Sequence, residues 1–297
     1  MTHPGGWGGI SLRQNAGALG FSQAALPLLR DLIEERAGVY FDDRKLPLLA
    51  DKVSELITAL DLTSFLDYYY LLRYDQDARR HWNMLMDQLA VPETYFWRQH
   101  DHFETLASVV APAHFARSPG RPLRIWSAAC CTGEEPLSIL MALDQGGLLH
   151  PGRVEVVASD ASCAMLERAR RGLYGARSFR QLPEPMREKY FCRVDEDSWR
   201  PQERLSSFIS WHQANLATPD EWGDFAAADV VFCRNVFIYF SDDAIRRVGT
   251  TLERHMPDHG HLFLGASESL TRFGLGFRLT EVGRSFVYVK APHGRAT

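Results

Sequence analysis

From residue 22 to residue 90 the apolar positions recur at helical spacing. Leu28, Leu29, Leu32 and Ile33, with Arg36, fall on one face of a helix that Gly38 would end. The stretches 46–60, 64–74 and 78–89 repeat that period, with Thr63 and Asp77 as candidate N-caps, so this region reads as an all-helical N-terminal domain. The run Tyr68-Tyr-Tyr-Leu-Leu72 would suit a stacking platform for single-stranded nucleic acid. Aromatic side chains on a helix more commonly fill the grooves between helices, and core packing is the reading adopted.

Beyond residue 122 the period changes. Apolar runs at 123–127, 154–159, 229–233 and 260–265 read as strands, and they alternate with helical patterns at 134–143, 162–171 and 242–256. That alternation predicts an α/β fold with a largely parallel, doubly wound sheet. Residues 277–279 and 284–290 read as a terminal hairpin at the sheet edge. Two further runs, 190–194 and 207–211, flank a charged loop and suggest a small antiparallel β insertion. The expected layout is a flexible segment at 1–20, the helical domain at 21–90, a linker and connecting helix at 91–121, the α/β domain at 122–290 with its insertion at about 190–212, and a tail at 291–297.

Composition narrows the classes. With 297 residues, 45% hydrophobic and 24% charged, the chain can bury a core and fits two domains better than one. Its net charge of −4 does not favour nucleic acid as a partner. No run approaches the roughly 20 apolar residues of a membrane span, and residues 1–20 are Gly-rich without the apolar centre of a signal peptide, so a cytoplasmic location is expected. The five cysteines, Cys130, Cys131, Cys163, Cys192 and Cys233, form no C-x-x-C pair, and no metal site is expected. Cys130 and Cys131 read as small buried residues rather than reactive thiols.

Candidate chemistry gathers where the strands end. The apolar segment Asp229-Val-Val-Phe-Cys233 stops abruptly at Arg234-Asn-Val-Phe-Ile-Tyr-Phe240, which puts charge and hydrogen-bonding groups where an open α/β sheet has its ligand crevice. The loop after the first strand, Ser127-Ala-Ala-Cys-Cys-Thr-Gly-Glu-Glu-Pro136, lacks the G-x-G-x-x-G of a dinucleotide site. Its helix opens instead with Glu134 and Glu135, which suit the helix dipole and repel an anion. The second strand ends in Asp160, the position from which such folds grip ribose hydroxyls. An adenosine carrying a sulfonium amino acid satisfies both facts. Taken singly, Asp160 could cap the helix near Ser162, and Glu134 could be a solvated first-turn carboxylate.

Several motifs, in order, resemble one family. Val91-Pro-Glu-Thr-Tyr-Phe-Trp-Arg98, Trp126-Ser-Ala-Ala-Cys-Cys-Thr-Gly-Glu-Glu-Pro136, Ala158-Ser-Asp160, Asn215-Leu216, Phe232-Cys-Arg-Asn-Val236 with Ile238-Tyr-Phe240, and Gly265-Ala-Ser-Glu268 are similar to the CheR family of chemoreceptor glutamate methyltransferases. The resemblance runs from about residue 20 to residue 290. It implies a Rossmann-like class I methyltransferase domain that uses S-adenosylmethionine and releases S-adenosylhomocysteine. It also implies cofactor contacts at Thr94, Arg98, Glu134, Asp160, Asn215, Leu216, Arg234 and Asn235, and a glutamate γ-methyl ester on the cytoplasmic helical domain of a chemoreceptor as product.

A glutamate, with a pKa of about 4.3, is already an anionic nucleophile at neutral pH, so no catalytic base is expected. Arg98 and Tyr239 are the candidates for positioning the reacting carboxylate. His100 and His102 read as surface residues. Three departures from the family pattern qualify the picture. Pro92 stands where many members carry Asn, so weaker cofactor binding is expected. The helix at 46–60 lacks the arginines with which members dock on receptors. The insertion loop Val194-Asp-Glu-Asp-Ser-Trp-Arg-Pro201 is short, acidic and without glycine, so tethering to a receptor C-terminal peptide is not expected. The first two also resemble members serving non-flagellar signalling, and a one-unit enzyme without a tetratricopeptide extension is expected. The rival reading is a catalytically impaired adapter or sensor that only binds cofactor. A small-molecule or nucleic-acid methyltransferase is a third, weaker option.

Overall fold

A computed structural model describes residues 25–292, which divide into two compact units at Leu89 and Ala90. The expected flexible segment at 1–20 lies outside the described residues.

The N-terminal unit is helical: α1 Ala25–Ala37, α2 Leu46–Ala59, α3 Phe65–Tyr74 and α4 Ala78–Leu89. Its core is the apolar face that the spacing marked out, with Leu29, Ile33, Leu49, Val53, Ile57, Tyr68, Leu72 and Leu85 all buried. Gly38 takes φ 73, a left-handed conformation that closes α1 without steric cost. Two expectations are corrected. The N-cap of α3 is Ser64, whose side chain accepts from the Asp67 amide, whereas Thr63 donates its hydroxyl to the Asp67 carboxylate at 2.9 Å. The two side chains thus form a reciprocal cap one residue later than proposed. Of the tyrosine run, Tyr68 is buried but Tyr70 is 52% exposed, because positions two apart on a helix point to nearly opposite sides.

The second unit begins with α5 Asp101–Thr105, a single wide turn at Leu106–Val110 and α6 Ala111–Arg117. There follow β1 Leu123–Ala128, α7 Glu134–Gln145, β2 Val154–Asp160, α8 Cys163–Arg171, α9 Glu184–Tyr190, β3 Phe191–Arg193, β4 Trp199–Pro201, α10 Glu203–Ser206 and β5 Ile209–Gln213. The unit closes with β6 Val230–Cys233, α11 Asp242–His255, β7 His261–Leu264, β8 Phe277–Val282 and β9 Ser285–Lys290.

Seven strands form one sheet in the order β5-β2-β1-β6-β7-β9-β8, in which β5 through β7 are parallel and β9 and β8 antiparallel. Alternation along each strand feeds two separate cores: Leu123, Ile125 and Phe232 face α5 to α7, while Trp126, Val231 and Cys233 face α11. Trp126 stacks on Trp222 at 5.2 Å in the second layer.

The expected insertion is smaller than proposed. Only β3 and β4 pair as an antiparallel ribbon, and Tyr174 bridges to Trp199 on its other side. The apolar run at 207–211 belongs instead to β5, which joins the main sheet parallel to β2, with Ile209 opposite Val156. A run of that length carries no mark of which sheet it joins; the choice is settled by where Val156 and Ile209 are buried together.

Candidate active site

Four parallel strands, β2, β1, β6 and β5, deliver the proposed residues to one edge of the sheet, as the crevice rule for open α/β sheets requires. Glu134 opens α7 after β1, Asp160 ends β2, Asn215 and Leu216 follow β5, and Arg234 and Asn235 follow β6. Thr94 and Arg98 come from the segment that leads into α5.

That segment is bound tightly into the second unit. The Phe96 amide donates to the Ser178 carbonyl (2.8 Å), the Trp97 amide to Ser138 Oγ (3.1 Å), and Glu93 takes ion pairs from Arg177 and Arg180. Phe96 is fully buried among Tyr174, Phe179 and Phe191. A bulky aromatic run therefore seats the chain and leaves Arg98 half-buried.

Backbone strain concentrates here. Trp97, Gln99, Ala129, Cys131 and Asn235 all have φ between 51 and 66°, a left-handed region costly for side chains other than glycine. Surrounding contacts hold them there. The Cys131 amide donates to Asp160 Oδ2 at 2.8 Å, and the Asn235 amide to Glu268 Oε2 at 2.7 Å. Glu268 also accepts from the amides of Phe237 (2.7 Å) and Gly265 (2.6 Å), so one carboxylate fixes the loops after both β6 and β7. A Cβ on Gly265 would lie 2.6 Å from Asn235 Nδ2, which leaves glycine as the residue that fits.

The carboxylates have distinct surroundings. Glu134 is buried, and burial raises its pKa against hydrogen bonds from Thr132 Oγ1 (2.6 Å) and Ser178 Oγ (2.9 Å). Burial likewise raises Glu135, which Arg234 and Ser127 oppose. Asp160 accepts from Cys131 N and, through Oδ1, from Ser162 N at 2.9 Å. The helix cap itself is Ser162, whose side chain accepts from Met165 N. Asp160 thus ties the loop after β1 to the one after β2.

Arg234 is buried, and its side chain is spent inside the protein. It donates to Glu135 Oε2 (3.1 Å), Gln99 Oε1 (2.6 Å from Nη2) and the Arg98 carbonyl (2.5 Å), with its guanidinium 5.3 Å from the Phe103 ring. Its side chain pins the strained Arg98–Gln99 corner to the start of α7, a partnership the sequence did not signal because the members lie 99 and 135 residues apart.

Other groups stand ready. Arg98 uses Nη1 on the Glu93 carbonyl (2.8 Å) and lies 5.5 Å from the Tyr95 ring, while its other N–H groups have no hydrogen-bond partner among the described residues. The hydroxyls of Thr94 and Tyr239 likewise have none there. Tyr239, on a single 3-10 turn, is 36% exposed; partial burial raises its pKa and the nearby Arg98 charge opposes the rise. Asn215 accepts the Ala217 amide at 2.9 Å, and the Leu216 carbonyl accepts from Trp222 Nε1.

His102 is not the surface residue expected. Its ring is 5.3 Å from Phe263, Nδ1 is sealed without a partner, and burial together with Arg234 pushes its pKa down to about 3. His100 is exposed. Burial drives the Cys130 thiol up, and burial with Asp160 and Glu134 pushes Cys131 up to about 12, which fits packing rather than thiolate chemistry.

The residues suit a zwitterionic adenosine ligand. Buried carboxylates, an unpartnered threonine hydroxyl and a helix start without a phosphate-cradling glycine loop match a cationic donor better than a diphosphate.

Comparison with known proteins agrees. A family profile described as "CheR methyltransferase, SAM binding domain" matches residues 92–285, and one described as "CheR methyltransferase, all-alpha domain" matches residues 24–90. Chemotaxis protein methyltransferase 2 of Vibrio cholerae is 31% identical over 268 residues, covering 90% of this chain and 93% of that protein. The chemotaxis protein methyltransferase of Escherichia coli is 33% identical, covering 90% and 92%. A probable biofilm formation methyltransferase of Pseudomonas putida is 32% identical, covering 87% of this chain and 60% of that protein. Among the described residues no helix is long and apolar enough to cross a membrane.

Proposed function

The chain belongs to the CheR methyltransferase family and uses S-adenosylmethionine as methyl donor, and from that premise we propose that it esterifies glutamate side chains on the cytoplasmic helical domain of chemoreceptors. The observation that carries this reading is the set of unpartnered donors at the sheet edge, the free N–H groups of Arg98 and the hydroxyl of Tyr239.

The bound donor supplies an electrophilic methyl on a positively charged sulfur. The residues proposed to hold it are Thr94, Arg98, Glu134, Asp160, Asn215 and Leu216, with the main chain of Arg234 and Asn235. An incoming glutamate is ionised at neutral pH, so the protein has to orient it rather than deprotonate it. Arg98 holds the carboxylate through charge-assisted hydrogen bonds. Tyr239, whose hydroxyl stays protonated because its pKa is raised, directs one oxygen without taking its charge. His102, kept neutral by burial, takes no proton from the substrate.

Transfer is further proposed to proceed in the cytoplasm without a tethering peptide. The turn between β3 and β4 is closed on itself: Asp195 accepts from Ser198 Oγ (2.6 Å) and the Asp197 amide (2.9 Å), and Arg193 donates to the Asp195 and Glu196 carbonyls. Each strand is three residues long, and Trp199 is already paired on both sides. Little edge remains for an added strand.

The test is incubation of the purified chain with methyl-labelled donor and cytoplasmic receptor fragments, with and without their C-terminal tails. A base-labile label of equal yield on both supports the proposal. No label on any receptor fragment from the same organism would overturn the activity, and a label confined to tailed fragments would overturn the independence from tethering.

A further inference from the structure

We propose that the surface formed by the end of α8 and the loop after it, from Arg168 to Arg180, docks an acidic face of the protein substrate beside the active site. This inference rests on the receptor-methylation reading above and names the surface by which the substrate is held.

The sequence of this stretch is Arg168-Ala-Arg-Arg-Gly-Leu-Tyr-Gly-Ala-Arg-Ser-Phe-Arg180, five arginines without one acidic residue, in a chain whose net charge is −4. The structure turns these cations outward. Met165, Leu166 and Ala169 form the buried face of α8, and Arg168, Arg170 and Arg171 are exposed. One cation in the last turn suits the helix dipole, but Arg171 has no carboxylate, hydrogen-bond or aromatic partner among the described residues, Arg170 meets only the Trp211 carbonyl at 3.1 Å, and Arg168, though exposed, is near enough to the Glu134 carboxylate for its charge to oppose the rise in that group's pKa. Leu173, 47% exposed, adds an apolar contact between the two arginine groups. Beyond it Arg177, 78% exposed on its side chain, and Arg180 share the single carboxylate of Glu93. Positive charge is left over.

The surface also adjoins the site. A Cβ on Gly133, the residue before Glu134, would lie 3.2 Å from the Ala169 Cβ, so the inner face of α8 packs on the loop that starts α7. Glu93, which joins Arg177 and Arg180, lies five residues from Arg98. A partner gripped on this rim is therefore held next to the groups proposed to orient its glutamate. The helical unit offers no equivalent attraction: between residues 25 and 89 there are eight Lys and Arg against twelve Asp and Glu, and α2 carries only Lys52 as a cation. Charge complementarity thus assigns the acidic partner to the catalytic unit.

The experiment uses the full chain, a cytoplasmic receptor fragment that the wild type methylates, and the double variant Arg170→Glu/Arg171→Glu. The expected result is a KM for the fragment raised roughly tenfold or more, unchanged kcat at saturating fragment, unchanged affinity for S-adenosylhomocysteine, and a KM less sensitive to salt than that of the wild type. Arg170→Lys/Arg171→Lys should keep the wild-type KM. An unaltered KM and salt dependence in the charge-reversed variant, while the wild type transfers methyl, would overturn the docking rim alone. Failure of the wild type on every fragment would overturn both this inference and the function it rests on.

Discussion

The two ends of the same parallel strands are built on opposite principles. At the carboxyl ends of β1 and β6 the chain passes through Ala129, Cys131 and Asn235 in left-handed conformations and leaves Arg98, Thr94 and Tyr239 with polar atoms unpaired. At the amino ends Asp229 accepts from Arg121 Nη2 (2.8 Å) and the Arg124 amide (3.1 Å), with His114 Nδ1 at 3.7 Å, and His259 is the one left-handed residue other than glycine nearby. A cavity of about 30 Å³ lies there among His114, Arg117, Asp229 and His261, room for a water or two. Left-handed backbone gathers at the end proposed to meet ligand, whereas the Asp229 hydrogen bonds and ion pairs gather at the other end.

The sharpest test removes a group from the ligand end. Arg98→Ala should lower methyl transfer about a hundredfold, the equivalent of two charge-assisted hydrogen bonds, and leave the thermal midpoint within a degree or two. Wild-type turnover in that variant would take Arg98 out of the site. The converse change lies at the other end. Asp229→Ala strands the Arg124 amide and takes the carboxylate from Arg121, and should cost about 2 kcal/mol of unfolding free energy with no change in affinity for S-adenosylhomocysteine. A loss of affinity without a loss of stability would erase the distinction between the ends.

Asp160→Ala tests the middle case. It removes an acceptor for Cys131 and Ser162 as well as the proposed ribose contact, so calorimetry should show affinity for S-adenosylhomocysteine weakened by roughly 1 to 3 kcal/mol, with a smaller loss of stability. Unchanged affinity would reduce Asp160 to a loop tie.

How far the sequence already disclosed this contrast depends on range. Strand ends were legible because buried runs such as Val230-Val-Phe-Cys233 stop at a charged residue, and the proposed residues do lie at that edge. The role of Arg234 was not legible. Its side chain looked like a ligand group and instead holds Glu135 and Gln99, partners that only the fold brings near. Glu268 was noticed within a motif, but its three amide bonds depend on two separate loops meeting. Left-handed backbone is usually signalled by glycine or asparagine; Asn235 carries that sign, whereas Cys131 and Trp97 do not, because tertiary contacts impose it. The strand β5 was misplaced for the same reason: the alternation in 207–211 is local, whereas its pairing with β2 is not.

The smallest expected effect concerns pH, and it separates the ends through stability alone. Burial, helped by Arg117 and His259 and opposed by Asp229, pushes His261 down to about 4 in the folded protein. In the unfolded chain a histidine titrates near 6.5. Because the folded pKa is the lower one, the unfolded state binds a proton that the folded state refuses as pH falls from about 6.5 to 4, so stability is complete above that window and declines through it. Chemical unfolding at pH 7.5 and pH 5 should show the wild type losing up to roughly 2 kcal/mol more than His261→Asn over that interval. His102, at the ligand end, is lowered to about 3 and contributes a parallel loss that this variant leaves in place. If His261→Asn and the wild type lose stability equally, His261 is solvated, and the amino ends of the strands are less closed than their pairing indicates.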